Sequence, residues 1–265
     1  MPEDDEQPFD LDADRGIMGF MRGRGGREVR HVGPFLVMFT PGTTSRWLNY
    51  AIPDDDAEPS AAEVDALVEV FWDAGRIPRL EFLPSVAPSV EPALLGRGFA
   101  LEEHLPLMTC AASSVRTPPM PAGVTLDVPR DDSTMLALVS LQHEVFQDPQ
   151  PVDGGSVARL RDTLDRGGRA LAGTDIDARL MVGAAQTVVP VGGTTEVVGV
   201  AVSPSHRRRG LAAAMVSTLA RSCFDGGLTT VFLEAAPGAD GAYRNAGFQR
   251  TSTVVHISLE GDRHA

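Results

Sequence analysis

The sequence predicts an α/β (α+β) protein made of two successive halves, each a sheet flanked by helices. Three observations carry this. Valine-rich segments alternate with segments of helical period along the whole chain. A stretch holding three prolines and a glycine, SSVRTPPMPAGV (113–124), interrupts it midway. Both halves also close in the same order of strand, short helix, Gly-Phe and strand, with Gly98-Phe99 matching Gly247-Phe248. That recurrence reads either as a divergent internal repeat or as chance repetition of a common unit.

The elements follow in order. Residues 1–30 are polar and glycine-rich, and they read as a mobile tail over 1–27 with a first strand near Glu28. PFLVMFT (34–40) reads as a strand, Pro41-Gly42 as a turn and SRWLNYAIP (45–53) as a second strand. Ser60 is placed to cap a helix, with Glu63 three residues on. Val64, Leu67, Val68, Phe71 and Trp72 then recur at helical spacing, and Gly75 ends the helix. RLEFLP, VEPALLGRGF and LEEHLPLMTC complete the half as strand, short helix with turn, and strand. The first half is thus expected over 28–112, a linker over 113–122 and the second half over 123–265.

In the second half VTLDVP is a strand. Ser133 is expected to cap a helix through about Phe146, and SVARLRDTLDRGG is a shorter helix. RALAG, RLMVGAAQTVVPV and TTEVVGVAVSP read as three successive strands. LAAAMVSTLARSCF (211–224) is a helix, with Leu211, Met215, Leu219 and Cys223 spaced by four and Gly226-Gly227 at its end. TTVFLEAAP, GAYRNAGF and RTSTVVHISLE follow as strand, helix with turn, and strand.

Composition narrows the function. Net charge is −13, with 20 acidic residues against 10 arginines in 1–120 and 16 against 13 in 121–265. Such a surface disfavours nucleic acid, whose phosphates need a broad basic face. No uninterrupted apolar run reaches about 18 residues, so no membrane span is expected. The acidic start MPEDDEQPFD lacks a signal-peptide pattern, which points to the cytoplasm. All 23 basic residues are arginine, which excludes Schiff-base chemistry by a lysine. Cys110 and Cys223 are the only cysteines and read as buried hydrophobes. No histidine pair has metal-ligand spacing with an acid, so no metal is expected. The pattern leaves monomer and homodimer both open.

One segment carries chemistry: GVAVSPSHRRRGLAAAMV (199–216), a valine-rich strand, an arginine-rich turn and a helix. A helix N-terminus offers unpaired N–H groups and partial positive charge to a phosphate. Gly210 lets the backbone approach an anion closely, and Ala212 keeps the next contact small. The segment is an anion-binding strand–loop–helix or a solvated basic turn. The dinucleotide motif G-x-G-x-x-G is absent, and without lysine so is the P-loop.

The run Arg207-Arg208-Arg209-Gly210-Leu211-Ala212 resembles the R/Q-x-x-G-x-G/A signature of the GCN5-related N-acetyltransferases, the GNAT superfamily. Val200-Ala201-Val202 stands ahead of it at the family's spacing, and Tyr243 through Gly247-Phe248 resembles the family's Y-x-x-x-G-F element. The resemblance covers roughly 123–260. It implies a GNAT fold with a mixed, mostly antiparallel sheet, and acetyl-CoA as co-substrate bound by 200–202 and 207–212. Position 236, where the family often has Asn, is alanine. The first half is similar only in its closing part. Its corresponding loop is Asp54-Asp55-Asp56, so it is expected to be a degenerate GNAT-like domain in a tandem protein and to bind no acetyl-CoA.

The resemblance further implies direct attack by an amine. Strand residues Val200–Val202 would support the thioester oxygen through an N–H, and Tyr243 would act as general acid toward the leaving sulfur. Glu196 would act as general base, its alternative being a solvated strand-start glutamate. On a regular strand Glu196, Val198 and Val200 share a face until any bulge. His143 reads as a pocket residue or a surface histidine, and Glu234 either meets an amine or is solvated. The acceptor would be a small-molecule amine, drawn by the acidic first half. The other reading is an acyl-CoA sensor or docking protein whose catalysis has lapsed.

Overall fold

The computed structural model describes residues 10–261. In chain order the elements are α1 (Leu11–Arg22), β1 (Glu28–Val32), β2 (Phe35–Phe39), β3 (Tyr50–Pro53), α2 (Ala61–Asp73), β4 (Arg79–Phe82), α3 (Val90–Leu95) and β5 (Ala100–Cys110). There follow β6 (Val124–Asp127), α4 (Asp132–Phe146), α5 (Gly154–Asp165), β7 (Ala170–Asp175), β8 (Leu180–Thr187) and β9 (Thr194–Val202). The last four are α6 (Leu211–Asp225), β10 (Thr230–Glu234), α7 (Asp240–Ala246) and β11 (Gln249–Ser258). The chain divides into two compact units, one of residues 10–107 with 251–261, the other Met108–Arg250. Among the described residues no helix is long and apolar enough to cross a membrane.

In the first unit β1, β2 and β3 pair antiparallel in succession, β4 joins β3 in parallel, and β11 adds antiparallel to β4 through Val255↔Phe82 and Ile257↔Leu80. The expected second strand over 45–53 is shorter, because Arg46–Leu48 form a 3-10 turn before Tyr50. α2 starts as predicted: Ser60 and Glu63 form a reciprocal capping box.

Two boundaries differ from the sequence expectation. The presumed tail over 1–27 holds α1, capped by Asp10, whose carboxylate accepts from the Asp12 and Ala13 N–H groups at 3.1 Å. Ile17, Met18, Phe20 and Met21 are buried on it, each worth roughly 1.5–3 kcal/mol. Gly16 and Gly19 inside the helix dilute the signal a sequence reading relies on. The second unit also does not run to the C-terminus, since residues from Thr251 onward belong to the first. An alternating strand pattern shows that a strand exists but not which sheet receives it.

In the second unit the order is β10-β9-β8-β7-β6, parallel between β10 and β9 and antiparallel elsewhere. α6 packs on one face, where Leu211, Met215, Leu219 and Cys223 meet Val197, Val231, Leu233 and Phe248. α4 and α5 pack on the other, with Leu138 and Leu160 against Ala184 and Ala201. α4 is capped by Asp131 rather than the expected Ser133, because the Asp131 carboxylate reaches the Thr134 N–H at 2.8 Å. The predicted linker lies along α6. The Arg116 N–H donates to the Ala246 carbonyl at 3.0 Å, and Arg221 donates to the Thr117 hydroxyl at 2.8 Å. Cys110 and Cys223 are buried and unpaired, and burial pushes the Cys110 thiol up to about 11.

Candidate functional site

The site is built where β9 runs into α6. After Val202 the chain makes a short 3-10 turn (Pro204–His206), passes through the exposed Arg207–Gly210 and enters the helix at Leu211. Gly210 is the N-cap, in the left-handed region at φ +87°, and no side chain caps the helix. The first N–H groups of α6 therefore keep the donor capacity that a capped helix loses. The corresponding helix of the first unit, α2, has two of its N-terminal donors committed by its own side chains: the Ser60 hydroxyl accepts from the Glu63 N–H and Glu63 accepts from the Ser60 N–H. The Asp54–Asp56 loop before α2 is occupied as well, since Arg15 meets Asp56 at 2.7 Å and Arg22 meets Asp55 at 2.5 Å.

The three loop arginines are held differently. Arg207 donates from Nε to the Val202 carbonyl at 3.1 Å, and Arg209 donates to the Ala122 carbonyl at 3.1 Å. Arg208 lies at φ +60°, a region costly for a side-chain-bearing residue. The loop is braced from behind by His206, which is buried. Its Nε2 lies 2.9 Å from Asp175 Oδ2 on β7, and its Nδ1 lies 3.0 Å from the Ser205 hydroxyl. The Ala178 N–H and His206 hold the Asp175 carboxyl below its usual range. The sequence reading missed this pair, because the contact spans 31 residues and no local pattern marks it.

β9 has two irregularities. Its ladder with β10 ends at Glu196↔Phe232, although β9 continues to Val202 and β10 to Glu234. Past Glu196 the strands splay, and the β10-facing backbone of β9 is not used in that ladder. The second irregularity is a bulge: Gln186 pairs with Val198 but Ala184 with Ala201, so β9 carries one extra residue. It centres on Gly199, at φ +61°, whose carbonyl accepts from Gln142 Nε2 on α4 at 2.8 Å. A Cβ at Gly199 would lie 2.2 Å from that nitrogen. A glycine inside a valine-rich strand was the available signal for the bulge.

The bulge decides which candidates meet. Val197 packs on the α6 side; after Gly199, Val200 and Val202 pack on that same side and Ala201 on the α4 side. Glu196, one residue from Val197, therefore faces the α4 side, opposite Val200. Tyr243 on α7 belongs to the α6-side cluster with Leu211, against which Val200 and Val202 pack. Tyr243, Val200, Val202 and Leu211 thus belong to one apolar cluster on the α6 side. Glu196, buried at 6% exposure, stands instead at the apex of the splay. Ala212 is half-buried. Burial pushes the Tyr243 phenol up to about 12. His143 is tied locally, its Nδ1 3.1 Å from the Gln150 carbonyl.

Residues 136–248 match the model of the acetyltransferase (GNAT) family. Among solved structures, the chain is similar to a GCN5-related N-acetyltransferase from Kribbella flavida, with a TM-score of 0.75 and 23% identity over 95% of this chain and 97% of that one. It is also similar to a GCN5-related N-acetyltransferase from Sphaerobacter thermophilus (TM-score 0.63, 15% identity, 87% and 82% covered). A third likeness is to a tandem GNAT protein from the clavulanic acid biosynthesis pathway (TM-score 0.61, 10% identity, 94% and 88% covered). No curated protein sequence matches.

Proposed function

We propose that this chain, whose residues 136–248 carry a GNAT domain, is an acetyl-CoA-dependent N-acetyltransferase that acts on a small-molecule amine by direct attack. The observation that carries this reading is the junction of two open backbone features in one segment. β9 is splayed from β10 beyond Glu196, and α6 begins at an uncapped Gly210. A diphosphate fits the donors of Leu211–Ala213 with Arg207–Arg209 at hand. An extended arm with amide groups fits the open edge of Val200–Val202.

Bound acetyl-CoA supplies the acetyl group as a thioester. The chain's own residues would supply the rest. A β9 N–H within 200–202 donates to the thioester oxygen as charge develops there. Tyr243, protonated throughout the physiological range, donates to the departing sulfur. Glu196, at the apex of the splay, receives the proton of the attacking amine, directly or through water. The excess of acid over arginine in 1–120 favours a cationic acceptor. The test is thiol release from acetyl-CoA across a panel of amines, with Gly210→Val as control. Amine-dependent release lost in the variant supports transfer. Tight coenzyme A binding with no release on any amine supports the sensor instead.

A further inference from the structure

We infer that the second unit holds a separate cleft for an organic anion with an apolar body, at the end of α6 away from Gly210. The cleft, of about 620 Å³, forms where the sheet edge runs out. β6 is the edge strand, and it stops at Asp127 opposite Ala172. Ala170 and Leu171 of β7, which pair with Gln186 and Ala185 of β8 on their other side, therefore continue with no strand on the β6 side, and both line the cleft. Met135 of α4 and Leu164 of α5 close it from one face of the sheet, and Leu219 of α6 from the other. Such a gap would normally take a further strand residue or side chain, and here it stays open.

Its polar lining is cationic. Arg130, Arg161 and Arg169 line it, against the single carboxylate of Asp165. Arg161 is paired with Asp132. Arg169 is fixed in place by neutral partners, its Nε donating to the Ser222 hydroxyl at 2.9 Å and its Nη1 to the Gly167 carbonyl at 3.3 Å. It has no carboxylate partner among the described residues. Arg130 has neither hydrogen-bond nor ion-pair partner among them. In a chain of net charge −13, two arginines without an ion-pair partner over a floor of Leu171 and Leu219 select an anion. The apolar walls select a hydrocarbon body, and a guanidinium fork suits a carboxylate or phosphate head. Thr218 and Ser222 lie seven and eleven residues beyond Leu211, roughly 10–17 Å along the helix axis. The cleft and the Gly210 loop are therefore different places on one helix.

The probe is octanoate, titrated calorimetrically into the full chain with and without saturating coenzyme A. Octyl phosphate tests the other head group; octanol and octylammonium are the neutral and cationic controls. The expected result is one octanoate or octyl phosphate per chain, unaffected by coenzyme A, with neither control binding. Arg130→Gln, on an exposed loop, should weaken it by roughly tenfold, the scale of one charge-assisted hydrogen bond. Thr218→Trp, at an exposed position that fills the cleft, should abolish it with the melting temperature kept. No binding of either anion, equal binding of octylammonium, displacement by coenzyme A or indifference to both variants would overturn the cleft. None of these outcomes bears on whether coenzyme A binds at Gly210.

Discussion

Tyr243 is the residue on which the chemical proposal turns, and its surroundings set what it can do. Desolvation in the α6-side core raises its phenol from an ordinary 10 to about 12. The folded chain thereby favours the neutral phenol, a contribution fully present below pH 10 and lost as pH rises toward 12. A group held neutral in that range can give a proton at any physiological pH and cannot act as a base there. Tyr243→Phe should lower turnover by about 10²-fold, the usual size of one general acid, and leave coenzyme A affinity within twofold. The phenolate absorbance that this substitution removes should emerge only above pH 10. Emergence near 10 would contradict the effect of burial on the phenol, and unchanged turnover would take Tyr243 out of the mechanism. The tyrosine, the arginine run and Gly210 were legible in the sequence because each lies within a local pattern. His206 and Gln142 were not, because their partners Asp175 and Gly199 are 31 and 57 residues away and only folding brings them close.

At the level of elements, β9 and α6 make the site together, and the bulge at Gly199 couples them. It reverses the facing of β9, so Val200 and Val202 lie with Tyr243 while Glu196 does not. Gly199→Ala must place a Cβ against Gln142 at φ +61°, and such strain costs about 1–3 kcal/mol. The variant should melt lower and bind coenzyme A more weakly, because flattening the bulge turns Val200 and Val202 away. Retained affinity in a destabilised variant would show that the bulge serves folding alone. The helix of residues 211–225 was readable from its period of four and the glycines after it. α1 was not, because Gly16 and Gly19 interrupt the propensity although Ile17, Met18, Phe20 and Met21 form a face.

Across the whole molecule the two units differ in what they leave open. In the first unit a polar cluster lies inside the sheet: Arg79, fully buried, pairs with Glu81 and with Glu102 at 3.0 Å. Burial alone would raise both carboxyls, but Arg79, joined by His256 at Glu81 and by Ser258 and Arg46 at Glu102, outweighs it and holds them below their ordinary 4.5. This contribution is present above pH 4.5 and lost as pH falls below it. Arg79→Met leaves the buried Glu81 carboxylate without its arginine, while the half-buried Glu102 keeps Arg46 at 3.5 Å, and should cost about 3–5 kcal/mol in urea unfolding. It should also flatten the loss of stability on acidification, and an unchanged acid slope would contradict that assignment. The two-part plan was visible in the matching Gly-Phe endings, but the assignment of β11 to β4 was not, since any alternating strand satisfies the same pattern.

The asymmetry of the two helix starts is the central claim: α2 is closed by Ser60 and Glu63, and α6 is open at Gly210. Calorimetric titration of the full chain with coenzyme A tests it most directly. The account predicts one coenzyme A per chain, with binding lost in Gly210→Val, where a β-branched residue would have to adopt φ +87°, and retained in Ser60→Ala. Two equivalents per chain, no binding by the unaltered protein, or full affinity in Gly210→Val would contradict it.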